Sequence, residues 1–283
     1  MIQQRATPLL EARGIGKEQI PVSATSRALR TTPPLFGFGL VNGIPEESIL
    51  AHADPDDTNR DGIAGRANRF IDGRLGRFGR KAFIPTLFEF NAGAFPIEQG
   101  MTTPLQPVEE TINGQPVPPE TDPIPEPEVP LSEIEAVTNF TRFLAPPPRA
   151  RVEDAAEKAM VKRGEGVFKT IGCAACHIPS LQTGPSNIPA LNRQTVFLYS
   201  DLLLHDMGPG LADICLGLAT PAEFRTELLM GLRFRRQFLH DGSARTVREA
   251  IERHSGEGDA SRRAFEHLKQ EERKALLRFL DTI

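Results

Sequence analysis

The chain has 283 residues, with 33 Lys or Arg against 37 Asp or Glu and a net charge of −4. That balance lacks the basic footprint of a nucleic-acid-binding protein, and no apolar run approaches the length of a membrane span. The length allows two ordinary domains, and 39% apolar with 25% charged residues suits a packed globular chain.

Residues 1–34 are polar and mixed, with helix-compatible stretches. Met1-Ile2-Gln3-Gln4-Arg5 offers no apolar segment of a secretory signal. Pro33-Pro34 punctuate the chain before Leu35–Val41, an apolar run spaced by glycines. Ile44–Leu50 reads as a short helix with Pro45 in its first turn. Residues 54–65 form a loop rich in Asp, Asn and Gly. In it Asp57, Asn59 and Asp61 match the first three oxygen ligands of a calcium loop, with Gly62 at the turn and Ile63 supplying a backbone carbonyl. The position of the closing bidentate Glu is Asn68, so that ligand is missing. Asp54, Asp56 and Asp72 are candidates to replace it, and a solvated acidic turn is an equal alternative.

Residues 84–95, with Leu87, Phe88, Phe90 and Phe95, read as a buried helical piece. Residues 104–130 are rich in Pro and Glu and cannot bury enough apolar surface to fold alone, so an exposed insertion is expected. Leu131–Leu144 is a helix by its spacing, with Ile134, Val137, Phe140 or Thr141, and Leu144 on one face. Pro146-Pro147-Pro148 stop it and set the expected domain boundary, giving domains 1–148 and 149–283. The second domain opens with a helix over 153–171, striped by Met160, Gly164, Val167, Phe168 and Ile171. It closes with a helix over 270–282, striped by Leu276, Phe279, Leu280 and Ile283. Gly164 would permit a close helix crossing.

The first of these helices leads into Cys173-Ala174-Ala175-Cys176-His177. Two thiols at this spacing can each form a thioether to a haem vinyl group, and the adjacent histidine then sits under the iron. A thioredoxin-like pair needs a preceding strand and no histidine. A zinc site needs further ligands, and Cys215 is the one cysteine left; it is expected to be a small buried apolar side chain. One covalent haem c, held by Cys173 and Cys176 with His177 as axial ligand, is therefore the expected cofactor. Trp is absent and Tyr199 is the only tyrosine, so a relay through aromatic side chains has few stations.

The second axial ligand decides the chemistry. The candidates are His205, Met207, Met230, His240, His254 and His267. Thr246-Val247-Arg248-Glu249 reads as a capping box. On the helix it starts, Val247, Ala250, Ile251 and His254 share one apolar face before Gly256 ends it. His254 is favoured on that ground over a core histidine bonded to a carbonyl. Met207, in a glycine-rich turn, is the alternative, and a His/Met pair would raise the reduction potential relative to bis-histidine. His267 sits among charges and is expected to be solvated.

The strings Phe36-Gly37-Phe38-Gly39-Leu40, Asp54-Pro55-Asp56-Asp57, Phe143-Leu144-Ala145-Pro146-Pro147, Leu204-His205-Asp206-Met207-Gly208-Pro209-Gly210-Leu211 and Phe238-Leu239-His240-Asp241-Gly242 together resemble the di-haem oxidoreductase family. Its members have also been called thiol oxidoreductases, and it is related to bacterial di-haem cytochrome c peroxidases and to the methylamine-utilisation di-haem enzyme. The resemblance covers nearly the whole chain from Thr31. It implies two cytochrome c domains, each with its own C-x-x-C-H, whereas this sequence holds one. The first shared string normally follows the first haem site, so the missing motif is expected upstream of Met1, on a chain that is a fragment.

In the peroxidases, peroxide reacts at the N-terminal haem and the C-terminal haem feeds it electrons. The resemblance puts His254 where the peroxidases have a distal Met and the methylamine enzyme a Tyr. It likens Glu98, in Pro96–Gly100, to the distal acid that moves a proton between peroxide oxygens, with an exposed loop carboxylate as the alternative. It also lends the calcium loop some support, since the peroxidases bind calcium between domains. The relatives carry a Trp between the haems, and a Trp relay is excluded here.

The expectation is a mainly α-helical protein, with a cytochrome c-like C-terminal domain and a partial, loop-rich N-terminal cytochrome-like domain. Its role would be haem c-dependent electron transfer within a peroxidase-like oxidoreductase. A mono-haem electron carrier and a thiol oxidoreductase are the alternatives. A redox partner protein or small electron donor is implied, and haem c implies a periplasmic location.

Overall fold

The computed structural model describes residues 2–283. With 36% of residues helical and 8% in strands, the chain is helix-rich, as its patterning implies. It divides into two compact units: the segment up to Arg27 with Leu87–Phe140, and Ala28–Thr86 with Thr141–Ile283.

In the smaller unit a short helix, Pro8–Ala12, begins at Thr7, whose hydroxyl accepts the Leu10 N–H. The Leu87–Ala94 helix continues into a π-helical turn over Phe95–Gln99. Ala92, Val129 and Ile134 form its core, with Phe88, Phe95 and Met101 packed around them. The Leu131–Phe143 helix buries Ile134 and Thr141 of the expected face, with Thr138 in the place of Val137. Val137 and Phe140 are 39% and 68% exposed. The buried Asn91 side chain donates to the Thr138 hydroxyl at 3.2 Å, so a polar pair takes the place of the apolar contact that spacing implies. Most of residues 104–130 is exposed, as expected, but the end is pinned: Val129 N–H donates to the Thr102 carbonyl at 3.0 Å.

The larger unit joins residues 28–86, expected in the first domain, to 141–283. Main-chain bonds make the join: Gly37 N–H to Leu144 O (2.8 Å), Gly184 N–H to Gly43 O (2.8 Å), Arg66 N–H to Leu204 O (2.9 Å) and Arg225 N–H to Arg80 O (2.9 Å). Such long-range pairings leave no period in the sequence, which is why proline punctuation suggested a different division. Two short antiparallel ladders complete the backbone, Leu181–Gln182 with Thr195–Val196 and Leu204–Asp206 with Glu223–Arg225.

Two long helices carry the core of this unit. The Ala155–Thr170 helix starts at Asp154, whose carboxylate accepts the Glu157 N–H. It crosses the Gln270–Leu280 helix at Gly164, where an added Cβ would lie 2.0 Å from the Ala275 carbonyl oxygen. Only glycine allows that approach. Phe168, Phe265, Leu276, Phe279, Leu280 and Ile283 pack there with Tyr199, and Cys173 lies against the cluster.

Candidate functional site: a histidine-flanked cavity

A cavity of about 1140 Å³ lies wholly within the larger unit, above the about 300–1,000 Å³ typical of small-ligand pockets. Cys173, Cys176 and His177 line it on one side, where Gly172 (φ +88°) turns the chain into a 3-10 turn over Cys173–Ala175. The His177 ring Nδ1 lies 2.9 Å from the Tyr199 carbonyl oxygen. A carbonyl accepts only, so Nδ1 carries the proton and Nε2 keeps its lone pair. Burial lowers the His177 pKa to about 4.

Val247, Ala250, Ile251 and His254 also line the cavity, so the face read from their spacing is the one the site uses. The helix itself is shorter than expected, Val247–Glu252, and His254 lies just past its end. Thr246 Oγ1 accepts the Glu249 N–H at 3.1 Å, but the Glu249 carboxylate accepts from Arg245 rather than from Thr246. The box is therefore one residue out of register. His254 Nδ1 lies 2.8 Å from the Ala250 carbonyl oxygen, and burial lowers its pKa. Two neutral imidazoles, each with Nε2 unprotonated, thus border one cavity with two thiols. This is the donor set of a metal held by imidazoles whose outer nitrogens are fixed by second-shell acceptors. Burial pushes the Cys173 thiol up to about 12 and raises that of Cys176, opposite to the depressed thiol of a disulfide-exchange pair.

The other candidates separate. Met207 also lines the cavity, with its main chain fixed by Ala222 and by the Ser255 hydroxyl. Met230 is buried against Gly37. His240 also lines the cavity, stacked on Phe224 at 4.2 Å between ring centroids. His267 is exposed, as expected. Cys215 is exposed rather than buried, since its turn presents the neighbouring Asp213 inward to Lys81 at 3.0 Å. Glu98 is exposed and lies in the smaller unit, and none of the described residues of that unit lines the cavity.

In the 54–65 loop the carboxylates serve the loop's own backbone. Asp54 accepts from Thr58 and Asn59, Asp57 from the Gly62 N–H, and Asp61 from the Ile63 N–H, while Asn59 Oδ1 accepts the Asp61 N–H. The last two are Asx turns, and the others brace the loop across four or five residues.

Two polar features of the cavity left no readable pattern in the sequence. His205, 3% exposed, points Nε2 at Asp201 (2.8 Å) and Nδ1 at Glu257 (2.6 Å). Burial opposes its charge, but the bonds to Asp201, Cys176 and Glu257 outweigh burial and push its pKa up to about 12. Both ring nitrogens donate, so His205 is an imidazolium with no lone pair for a metal. Separately, Glu227 pairs with Arg80 (2.6 Å), Arg235 (3.0 Å) and Arg225 (3.4 Å). Burial raises its pKa, and the three guanidiniums overcome that and hold it at about 2.

The family model described as "Di-haem oxidoreductase, putative peroxidase" matches residues 24–283. The chain belongs to the di-haem oxidoreductase family. No curated protein matches the sequence. Among solved structures, hydrazine synthase of Kuenenia stuttgartiensis is 17% identical, covering 94% of this chain and 98% of its own, with a TM-score of 0.47. A MauG-like protein associated with microbial copper homeostasis is 15% identical, covering 93% and 94%, with a TM-score of 0.40. At those distances no residue role passes from either structure to this chain.

The family implies haem, and the cavity residues fit one. Beside the two thiols and two imidazoles, Arg80 Nε, Arg235 Nε and Thr226 Oγ1 are buried without hydrogen-bond partners, and all three residues line the cavity. Three guanidiniums against one carboxylate leave an excess of positive charge. Haem brings two propionates, which suit that excess and those unmet donors. This member of the di-haem oxidoreductase family carries one C-x-x-C-H in its 283 residues.

Proposed function

We propose that this chain carries a covalent haem c on Cys173 and Cys176, with His177 and His254 as axial ligands, and serves as an electron-transfer module of a peroxidase-like di-haem oxidoreductase. The supporting observation is the pair of imidazoles, each held at Nδ1 by a main-chain carbonyl (2.9 and 2.8 Å), bordering the cavity that the two thiols also line. Bound there, haem c supplies a one-electron redox centre.

The chain's own residues do the rest. The Tyr199 and Ala250 carbonyls orient the two rings and keep their protons on Nδ1. Phe168, Leu232, Val247, Ile251 and Leu280 give the cavity an apolar wall, which excludes water and favours the less charged redox state. Arg80, Arg225 and Arg235 are the residues to hold propionates, with Thr226 as a further donor. With His177 and His254 both given to the iron, a haem held here would relay electrons rather than bind peroxide. Haem c attachment puts maturation in the periplasm, and among the described residues no helix is long and apolar enough to cross a membrane.

The test is the visible and EPR spectrum of His254→Ala and Met207→Ala. The expected result is conversion from low-spin to high-spin in the histidine variant and an unchanged spectrum in the methionine variant. The reverse pattern overturns the ligand assignment.

A further inference from the structure

One stretch of chain, residues 199–208, touches both histidine-bearing segments. At its start the Tyr199 carbonyl accepts from His177 (2.9 Å), and the Asp201 N–H donates to the Cys176 carbonyl at 3.0 Å. The Asp201 carboxylate then accepts the Leu203 N–H at 3.0 Å and faces His205 Nε2. At its end the stretch docks on the segment that follows His254. Glu257 accepts from His205 Nδ1 and from the Asp206 N–H (3.0 Å), and the Ser255 hydroxyl donates to the Met207 carbonyl. Gly256 lies so close that an added Cβ would be 2.1 Å from the Asp206 carbonyl oxygen, and its φ is +55°.

Asp201 and His205 are 1% and 3% exposed, and the Glu257 side chain 14%. A buried ion bridge of this kind is costly to break from one side, because the charges left behind lose their partner. Its geometry is also specific: a ring with two opposed donors between two carboxylates admits one arrangement. Such bridges are best attested as devices that fix register rather than as sources of net stability. Here one end of the bridge, Asp201, is tied by its own N–H to the Cys176 carbonyl beside His177, and the other, Glu257, belongs to the segment that follows His254.

We propose that the Asp201–His205–Glu257 bridge positions the His254 segment against the Cys173–His177 turn, so that His205 decides whether His254 stays on the haem iron. His205 is a positioning residue: it holds the two carboxylates and lies 3.7 Å from the Cys176 sulfur through Nδ1. The inference rests on His254 being the axial ligand.

The experiment uses the holoprotein and three variants: His205→Gln, Glu257→Gln and His254→Ala. A Gln side chain offers donors on one side only and turns an acceptor oxygen toward the other carboxylate, so one arm of the bridge opens. Glu257→Gln keeps the shape and removes the charge of the other arm. The readouts are the ferric spin state and the rate of carbon monoxide binding to the ferrous protein. His254→Ala should be fully high-spin. His205→Gln should show a mixed-spin ferric spectrum and bind carbon monoxide at least tenfold faster than wild type, with Glu257→Gln changed in the same direction by less. Should His205→Gln fail to yield holoprotein, Glu257→Gln carries the test alone. Glutamine variants that stay low-spin and bind carbon monoxide at the wild-type rate, beside a high-spin His254→Ala, overturn the positioning role. A low-spin His254→Ala instead overturns the ligand reading, and this inference with it.

Discussion

The Cys173–His177 turn and the His254 segment present imidazoles to one cavity, each with its outer nitrogen held by a main-chain carbonyl. They reach that state by different routes. The His254 ring is held by the Ala250 carbonyl, four residues earlier on the same turn of chain. The His177 ring is held by the Tyr199 carbonyl, which is 22 residues away and belongs to a residue with φ of +51°. A non-glycine residue in that region stays there only when its surroundings over-determine it. One wall of the cavity thus holds its imidazole by local helix geometry, with the segment after His254 docked on the body through Ser255 and Glu257, and the other holds its imidazole by tertiary packing. The local wall should loosen on its own, whereas the tertiary wall should fail together with the core behind it.

The strongest way to break this comparison is to remove the covalent hold of the tertiary wall. In the Cys173→Ser, Cys176→Ser double variant, both histidines remain and the thioethers cannot form. Wild-type pigment should stay with the protein in acidified organic solvent, and the double variant should release all of it or mature without colour. Pigment that leaves the wild-type protein would show that no thioether forms, and the reading of the cavity would fail.

The contrast also explains what could be read from the sequence. The C-x-x-C-H string carries its chemistry in five adjacent residues, and the apolar face Val247–Ala250–Ile251–His254 carries it in a helical period. The stripes of the two long helices were legible for the same reason, down to Gly164 at their crossing. The helix over 131–143 buries Ile134 and Thr141 as its spacing implies, but Thr138 buries a hydroxyl where spacing favours Val137. Asp201 and Glu257 were invisible because their partner, His205, lies 4 and 52 residues away with no pattern joining them. Glu227 was hidden in the same way: two of its arginines are 2 and 8 residues off and the third is 147 away. The grouping of residues 28–86 with 141–283 rests on main-chain bonds and on ion pairs such as Arg80–Glu227 and Lys81–Asp213 between distant segments, to which composition is blind.

A middle-sized effect is expected at Gly164. Alanine there would place Cβ 2.0 Å from the Ala275 carbonyl oxygen and 2.7 Å from Phe279 Cβ. Alanine gains about 1 kcal/mol over glycine in a helix, but overpacking against a backbone costs about 1–3 kcal/mol, and the backbone of the partner helix cannot swing aside. Gly164→Ala should therefore lower the urea midpoint, with haem absorbance and far-UV circular dichroism lost together, because this helix delivers the C-x-x-C-H turn. A variant as stable as wild type would mean that the crossing has room to spare.

The smallest effect should come from the local wall. Thr246→Ala removes the hydroxyl that accepts the Glu249 N–H, a loss of about 1 kcal/mol. The helix it caps has only six residues, too few to persist without packing. On heating, the high-spin fraction of this variant should rise several degrees below the loss of circular dichroism, as His254 leaves before the core melts. In Gly164→Ala the two signals should instead move as one. If the spin change and the unfolding of Thr246→Ala coincide, then the docking through Ser255 and Glu257 outweighs the local cap, and the distinction between a local and a tertiary wall is lost.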